Sequence, residues 1–217
     1  MSIAENIQKY REILGENVKL VAVSKTKPLE ALEEAYAAGQ RIFGENKIQE
    51  MVSKCEQLPN DIEWHMIGHV QTNKIKYMAP MVAMVHGVDR EKVLKELNKQ
   101  AAKCDRVIDC LLQVHIAQEQ TKFGFDAAEV EALVVRLEQY PNVRVRGLMG
   151  MATNTDDATV VEQEFAALND LFLKFEEEKG WDVLSMGMSG DYQIAIKHGS
   201  THVRIGSAIF GARNYPV

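Results

Sequence analysis

A chain of 217 residues is long enough to bury roughly 70% of its extended-chain surface, so neither a metal nor a disulfide is needed for folding. A composition of 46% hydrophobic and 26% charged residues, close to the globular average, argues against a disordered or fibrous chain. The net charge of −6, with no lysine-rich run, argues against nucleic acid or membrane as a partner, and Glu5, Lys9, Arg11 and Glu12 interrupt any leader or spanning stretch. The expectation is one domain over 1–217, cytoplasmic and monomeric.

The chain alternates between short apolar runs and amphipathic ones. Residues 19–23 are almost continuously apolar and run into Ser24 and Lys25, the signature of a parallel strand covered on both faces. Pro28 then opens a helix with Leu29, Leu32 and Tyr36 at helical spacing, and Gly39 closes it. A second strand is expected at 41–43, with a helix from about Lys47 for which Asn46 is a good N-cap. A third follows at 63–67 with a short helix from about Asn73, and a fourth at 82–86 with a helix opening at Asp89 that aligns Val93, Leu94 and Leu97.

The fifth strand, 107–114, leads to Asp126 and Glu129, spaced as a capping box. The sixth, 143–149, precedes a long helix whose Val161, Phe165, Leu168, Phe172 and Phe175 form one apolar stripe. Strands at 183–186 and 202–205 each lead into a final short helix, from about Gly190 and Ser207. About eight such units in under 250 residues favour an α/β fold of the (β/α)8 TIM-barrel type over an open doubly wound sheet. Cys55, Cys104 and Cys110 show no metal-ligand spacing and read as reduced packing residues, and Met186 and Met188 read as barrel filling.

Barrel sites lie at the carboxyl ends of the strands, with phosphate commonly held after the last two. There the sequence places Gly187, Met188, Ser189 and Gly190 after strand seven, and Gly206 and Ser207 after strand eight. Each residue alone reads as well as a turn or cap. Together they make an anion cup, with Ser189 capping the next helix. Lys25 ends the first strand, where apolar walls would lower its pKa and make it an imine-forming amine opposite the cup. Such a pairing describes either a pyridoxal phosphate site or a sugar-phosphate aldolase.

Arg204 is expected to face the barrel mouth, where it would keep a pyridine nitrogen unprotonated; the competing reading is a surface salt bridge. Asn46 reads as a ring contact or a cap. His65 and His69 lie four apart, but the predicted strand and Gly68 break the metal-ligand geometry, so no metal is assigned. Lys122 reads as a solvent charge or a basic residue near the mouth.

The segments VAVSKTKP from Val21, FGENKIQE from Phe43, HMIGHVQTNK from His65, LSMGMSGD from Leu184 and VRIGSAIFGAR from Val203 resemble those of the pyridoxal phosphate homeostasis protein family. These proteins are single-domain relatives of the alanine racemase amino-terminal barrel, and the likeness spans nearly the whole chain. The resemblance implies that Lys25 is the Schiff-base residue, that Ser189, Gly206 and Ser207 hold the phosphate, that Arg204 faces the pyridine nitrogen and that Asn46 lines the ring. Gly190 stands where relatives often carry an acidic or polar residue, and Ser207 where many have Thr.

The implied role is a cytoplasmic carrier that delivers pyridoxal 5'-phosphate to apoenzymes, with no catalytic residue of its own. The alternatives are an amino-acid racemase or lyase on the same cofactor, and the Schiff-base aldolase. In alanine racemases a tyrosine for two-base racemisation comes from a carboxyl-terminal β domain of a partner subunit; 217 residues are expected to leave no room for that domain, and Tyr192 or Tyr215 would substitute only if the fold brought one over the cofactor.

Overall fold

A computed structural model describes residues 1–119 and 123–211. It opens with α1 (Ile3–Leu14), a helix that the charged first residues do not announce. A capping box starts it: Ser2 Oγ accepts from the Glu5 amide while the Glu5 carboxylate accepts from the Ser2 amide. Its buried face, Ile7, Tyr10 and Leu14, joins the main core.

Eight parallel strands then close into a barrel in sequence order. They are β1 (Lys19–Val23), β2 (Ile42–Glu45), β3 (Glu63–Met66), β4 (Met84–Val88), β5 (Ile108–Val114), β6 (Val143–Gly150), β7 (Val183–Met188) and β8 (His202–Ile205). Between and after them run α2 (Leu29–Ala37), α3 (Ile48–Cys55), α4 (Ile75–Met78), α5 (Glu91–Lys103), α6 (Ala127–Val134), α7 (Ala158–Lys179), α8 (Tyr192–Lys197) and α9 (Ser207–Phe210). The expected (β/α)8 TIM barrel is therefore the fold of the chain, and among the described residues no helix is long and apolar enough to cross a membrane.

Several boundaries shift by one or a few residues, those of β4 and α5 among them. β4 begins at Met84 rather than at residue 82, because Val82 is fully buried on the approach to the strand and burial alone does not separate the two. α5 begins at Glu91 rather than Asp89, because the Asp89 carboxylate is engaged by His69 and Arg90 instead of capping the helix. The long helix is α7 as expected: Val161, Phe165, Leu168 and Phe172 are buried, and Phe175 packs on Trp181 at 5.2 Å between ring centres. Burying each such side chain stabilises the fold by roughly 1.5–3 kcal/mol.

Strand alternation divides the core into two layers. Leu20 and Ala22 of β1 point outward into the large layer between barrel and helices, whereas Met84, Leu111, Met149 and Val183 form a separate small cluster. Two residues further along β4 and β7 come His86 and Ser185, so apolar filling gives way to polar filling toward the strands' carboxyl ends. Closure joins the ends of the chain's strand order: Val21 pairs with Arg204 and Ala22 with Ile205.

Candidate functional site

At the carboxyl ends of the strands lies a cavity of about 490 Å³. Lys25, Asn46, Ser189, Arg204, Gly206 and Ser207, the six residues singled out in the sequence, all line it. Lys25, Lys27 and Arg204 contribute cationic groups, and no described carboxylate is part of the wall. A cleft of one sign concentrates ligands of the other.

Lys25 follows β1 and is half-buried. Thr26 after it holds a left-handed backbone, φ 63°, which a side chain adopts at a cost. A hydrogen bond holds the turn there: the Thr26 amide donates to Glu50 Oε1 at 2.5 Å. That carboxylate is in turn bound at 2.7 Å by Lys54 Nζ, which also donates to Glu45 Oε1 and to the Ser24 carbonyl, each at 2.8 Å. Burial pushes the Glu45 carboxyl up from its ordinary range despite this cation. The second lysine of the segment has other duties: Lys27 Nζ donates to the carbonyls of Phe210 and Gly211, each at 3.0 Å, tying the β1 loop to the end of α9.

Closure of the barrel corrects one expectation. β1 and β8 are neighbours, and a Cβ placed on Gly206 would lie 3.2 Å from Val23 Cβ, so Lys25 sits beside the glycine-serine turns rather than opposite them. Ser189 is not a helix cap: the N-cap of α8 is Asp191, whose carboxylate accepts from the Met188 amide at 2.5 Å. Asn46 does not cap α3 either, since Lys47 occupies that position without a side-chain bond. Met186 fills the core as expected, whereas Met188 is exposed and lines the cavity.

Arg204 is no surface salt bridge. It is 4% exposed, and its guanidinium donates to the Ser185 carbonyl at 2.9 Å, to Ser185 Oγ at 2.7 Å and to the Gly150 carbonyl at 3.0 Å. Burial lowers its pKa to about 10, which still leaves it charged near neutrality. The Ser185 hydroxyl accepts from Arg204, so its own hydrogen goes to His86 Nδ1 at 3.0 Å. His86 Nε2 then donates to His65 Nδ1 at 2.9 Å. The order of donors is thus set by the one group that only donates. Burial keeps these rings neutral: it lowers His65 to about 3 and His86 well below the usual histidine range, and His202 nearby to about 4.

The structure separates the two histidines weighed as a metal pair. His65 lies inside the barrel, while His69 lines the cavity, with Nδ1 2.7 Å from Asp89 Oδ2. The spacing of His65 and His69 carries no sign of Asp89 as the partner of His69. The signal that marks both His69 and Asp89 is their place just beyond the ends of β3 and β4. Gln113 also lines the wall from β5, inside a run that reads as ordinary strand, and Met151 does so from just beyond the end of β6. Tyr192 packs edge-on against Tyr10 at 5.6 Å and does not line the cavity. Lys122 and Tyr215 lie outside the described residues. Cys110 is buried, Cys55 and Cys104 are half-buried, and none is in a disulfide.

Residues 1–214 match the family described as alanine racemase, N-terminal domain. The chain is 47% identical over 206 residues to a pyridoxal phosphate homeostasis protein of Vibrio alginolyticus, covering 92% of this chain and 88% of that one. Against the protein of the same description from Aquifex aeolicus it is 39% identical over 219 residues, covering 98% and 96%. Among solved structures, PipY of Synechococcus elongatus with PLP bound superposes with a TM-score of 0.89 at 35% identity, over 97% of this chain and all of that one. Alanine racemase from E. faecalis shares the fold, with a TM-score of 0.80 at 18% identity; this chain corresponds to 60% of that one.

Proposed function

Because the chain belongs to the alanine racemase N-terminal domain family and to its pyridoxal phosphate homeostasis proteins, we propose that it holds pyridoxal 5'-phosphate on Lys25 and serves intracellular homeostasis and delivery of that cofactor. The observation that carries this reading is the make-up of one wall: an amine, two hydroxyls beside glycines, and a buried guanidinium, with no described carboxylate. The residues fit a phosphorylated, aldehyde-bearing ring.

The cofactor, when bound, supplies a reactive aldehyde carbon and a dianionic phosphate. Lys25 Nζ supplies the amine to which that carbon is joined. Ser189 and Ser207 offer hydroxyl donors to the phosphate, and Gly190 and Gly206 let backbone approach it; no Cβ contact within 4 Å surrounds Gly190. Arg204, held from behind by Ser185 and Gly150, presents a donor-only group to the ring nitrogen and so keeps a proton off it. Asn46 contributes an amide at the ring's side.

This set binds and orients. A ring nitrogen without its proton is a weak electron sink, and Tyr192 is engaged elsewhere, which supports a carrier over a racemase or lyase. The carrier is proposed to act in the cytoplasm as a monomer and to hand the cofactor to apoenzymes.

Purified protein is expected to be yellow, to bleach on borohydride reduction and to carry the reduced adduct on Lys25 by peptide mass. A colourless protein with no adduct refutes the reading and returns the sugar-phosphate aldolase. Mixing loaded protein with an apo-transaminase tests delivery: transfer no faster than release of free cofactor counts against a carrier.

A further inference from the structure

His69 and Asp89 form an imidazole–carboxylate pair at the rim of the cavity that Lys25 lines, and cofactor holding uses neither. The pair exists because two loops approach closely. A Cβ on Gly68 would lie 2.5 Å from the Asn46 carbonyl oxygen, and one on Gly87 would lie 2.4 Å from the Gly68 carbonyl oxygen. Only glycine at both points allows the ends of β2, β3 and β4 to converge and carry His69 to the cavity wall.

The carboxylate is fixed and the ring is accessible. The Asp89 side chain is 1% exposed and is held on its other oxygen by Arg90 Nη1 at 2.6 Å, whereas the His69 side chain is 38% exposed. An ionised carboxylate only accepts, so Nδ1 carries the hydrogen in this pair and Nε2 carries the lone pair. Phe123 lies against the ring at 4.4 Å between centres and restrains its plane. Among the described residues Nε2 has no hydrogen-bond partner. His86, by contrast, spends both ring nitrogens inside the barrel. A ring oriented by a buried acid, with its other nitrogen on a reaction cavity, is built to move protons.

Resting on the cofactor reading above, we propose that His69, oriented by Asp89, carries the protons when the cofactor is joined to Lys25 and when it is let go. Release adds one water across the carbon–nitrogen double bond that joins Lys25 Nζ to the aldehyde carbon. The carbon keeps the oxygen as its carbonyl, and Nζ leaves as a primary amine bearing both hydrogens of the water. His69 Nε2 takes a proton from the oxygen and passes it to the nitrogen, ending as it began. Loading is the reverse, with water expelled.

A group regenerated in this way speeds both directions equally, which separates proton transfer from a structural role. His69→Asn keeps a donor at the Nδ1 position for Asp89 but loses the base. It is expected to slow both loading and release by about a hundredfold while equilibrium occupancy stays within about twofold. Loading is read from the chromophore after mixing apoprotein with pyridoxal phosphate, and release from its loss on dilution into excess apo-transaminase. Added imidazole is expected to restore both rates in His69→Ala. Unchanged rates, or slower loading with unchanged release and lower occupancy, overturn the proposal. Parent protein that places no cofactor on Lys25 overturns the cofactor reading itself, and this is seen before any substitution is made.

Discussion

Ser185 Oγ lies 2.7 Å from Arg204 Nη1, and it is the hydroxyl through which this buried cation meets the histidines behind it. Ser185→Ala removes an acceptor from Arg204 and a donor from His86 in a layer that excludes water. The variant should lose about 1–3 kcal/mol of stability in urea unfolding. Its bound cofactor, with Arg204 less firmly held, should show a shifted absorption maximum. An unaltered midpoint and spectrum would mean that Arg204 does not depend on this contact.

Acid should weaken the fold before it protonates ordinary carboxylates. The folded pKa of His65, about 3, and of His202, about 4, lie below the unfolded value of about 6.5. Their contribution is therefore present above about pH 6.5 and lost as the pH falls through the interval down to the folded values. Each ring contributes a slope of about 1.4 kcal/mol per pH unit there. Urea unfolding at pH 7.5 and at pH 5 should give a clearly lower stability at pH 5, and equal values would contradict the neutral buried rings.

Lys54 is 6% exposed and joins Glu45, Glu50 and the Ser24 carbonyl. Lys54→Met leaves the Glu45 charge buried without its cation, which should cost about 3–5 kcal/mol at neutral pH. Because Glu45 already has a raised pKa in the fold, protonating it should recover part of that loss at lower pH relative to the parent. Adding Glu45→Gln should likewise recover part of it at neutral pH. Chemical denaturation of the three proteins at two pH values checks both statements, and it should also show slower loading of Lys25 in the single variant, whose Thr26 turn has lost its brace.

Gly68→Ala places a methyl group against Asn46 backbone, 2.5 Å from its oxygen and 2.7 Å from its Cα. Backbone cannot step aside as a flexible side chain can, so the β2 and β3 loops must separate. We expect a folded barrel that retains cofactor at least severalfold less well, measured as the occupancy left after dialysis. Retention equal to the parent would show that the convergence of these loops is dispensable.

The barrel was legible because its strands are short apolar runs separated by helices with clear apolar stripes, as in β1 and α7, and its site because strand ends locate it. What is not legible in the sequence depends on contacts distant along the chain. Lys25 and Ser207 come together only through the β1–β8 pairing. His69 meets Asp89 across two loops, and the local spacing of His65 and His69 pointed to a different chemistry. Ser189 and Asn46 are good cap residues by type, yet the helices after them start one or two residues later, which leaves their side chains to the cavity. The helix α1 is not legible because its three buried positions are diluted by charge.

The pairing of the first strand with the last has a consequence for synthesis. While the ribosome is still adding residues up to the Gly206–Ser207 turn, the nascent polypeptide already carries Lys25 but lacks Arg204 and the second hydroxyl, and two strand edges lie open. Competence to capture an aldehyde therefore arrives late and all at once, so an arrested or prematurely terminated product would be an aggregation-prone sheet rather than a weak binder.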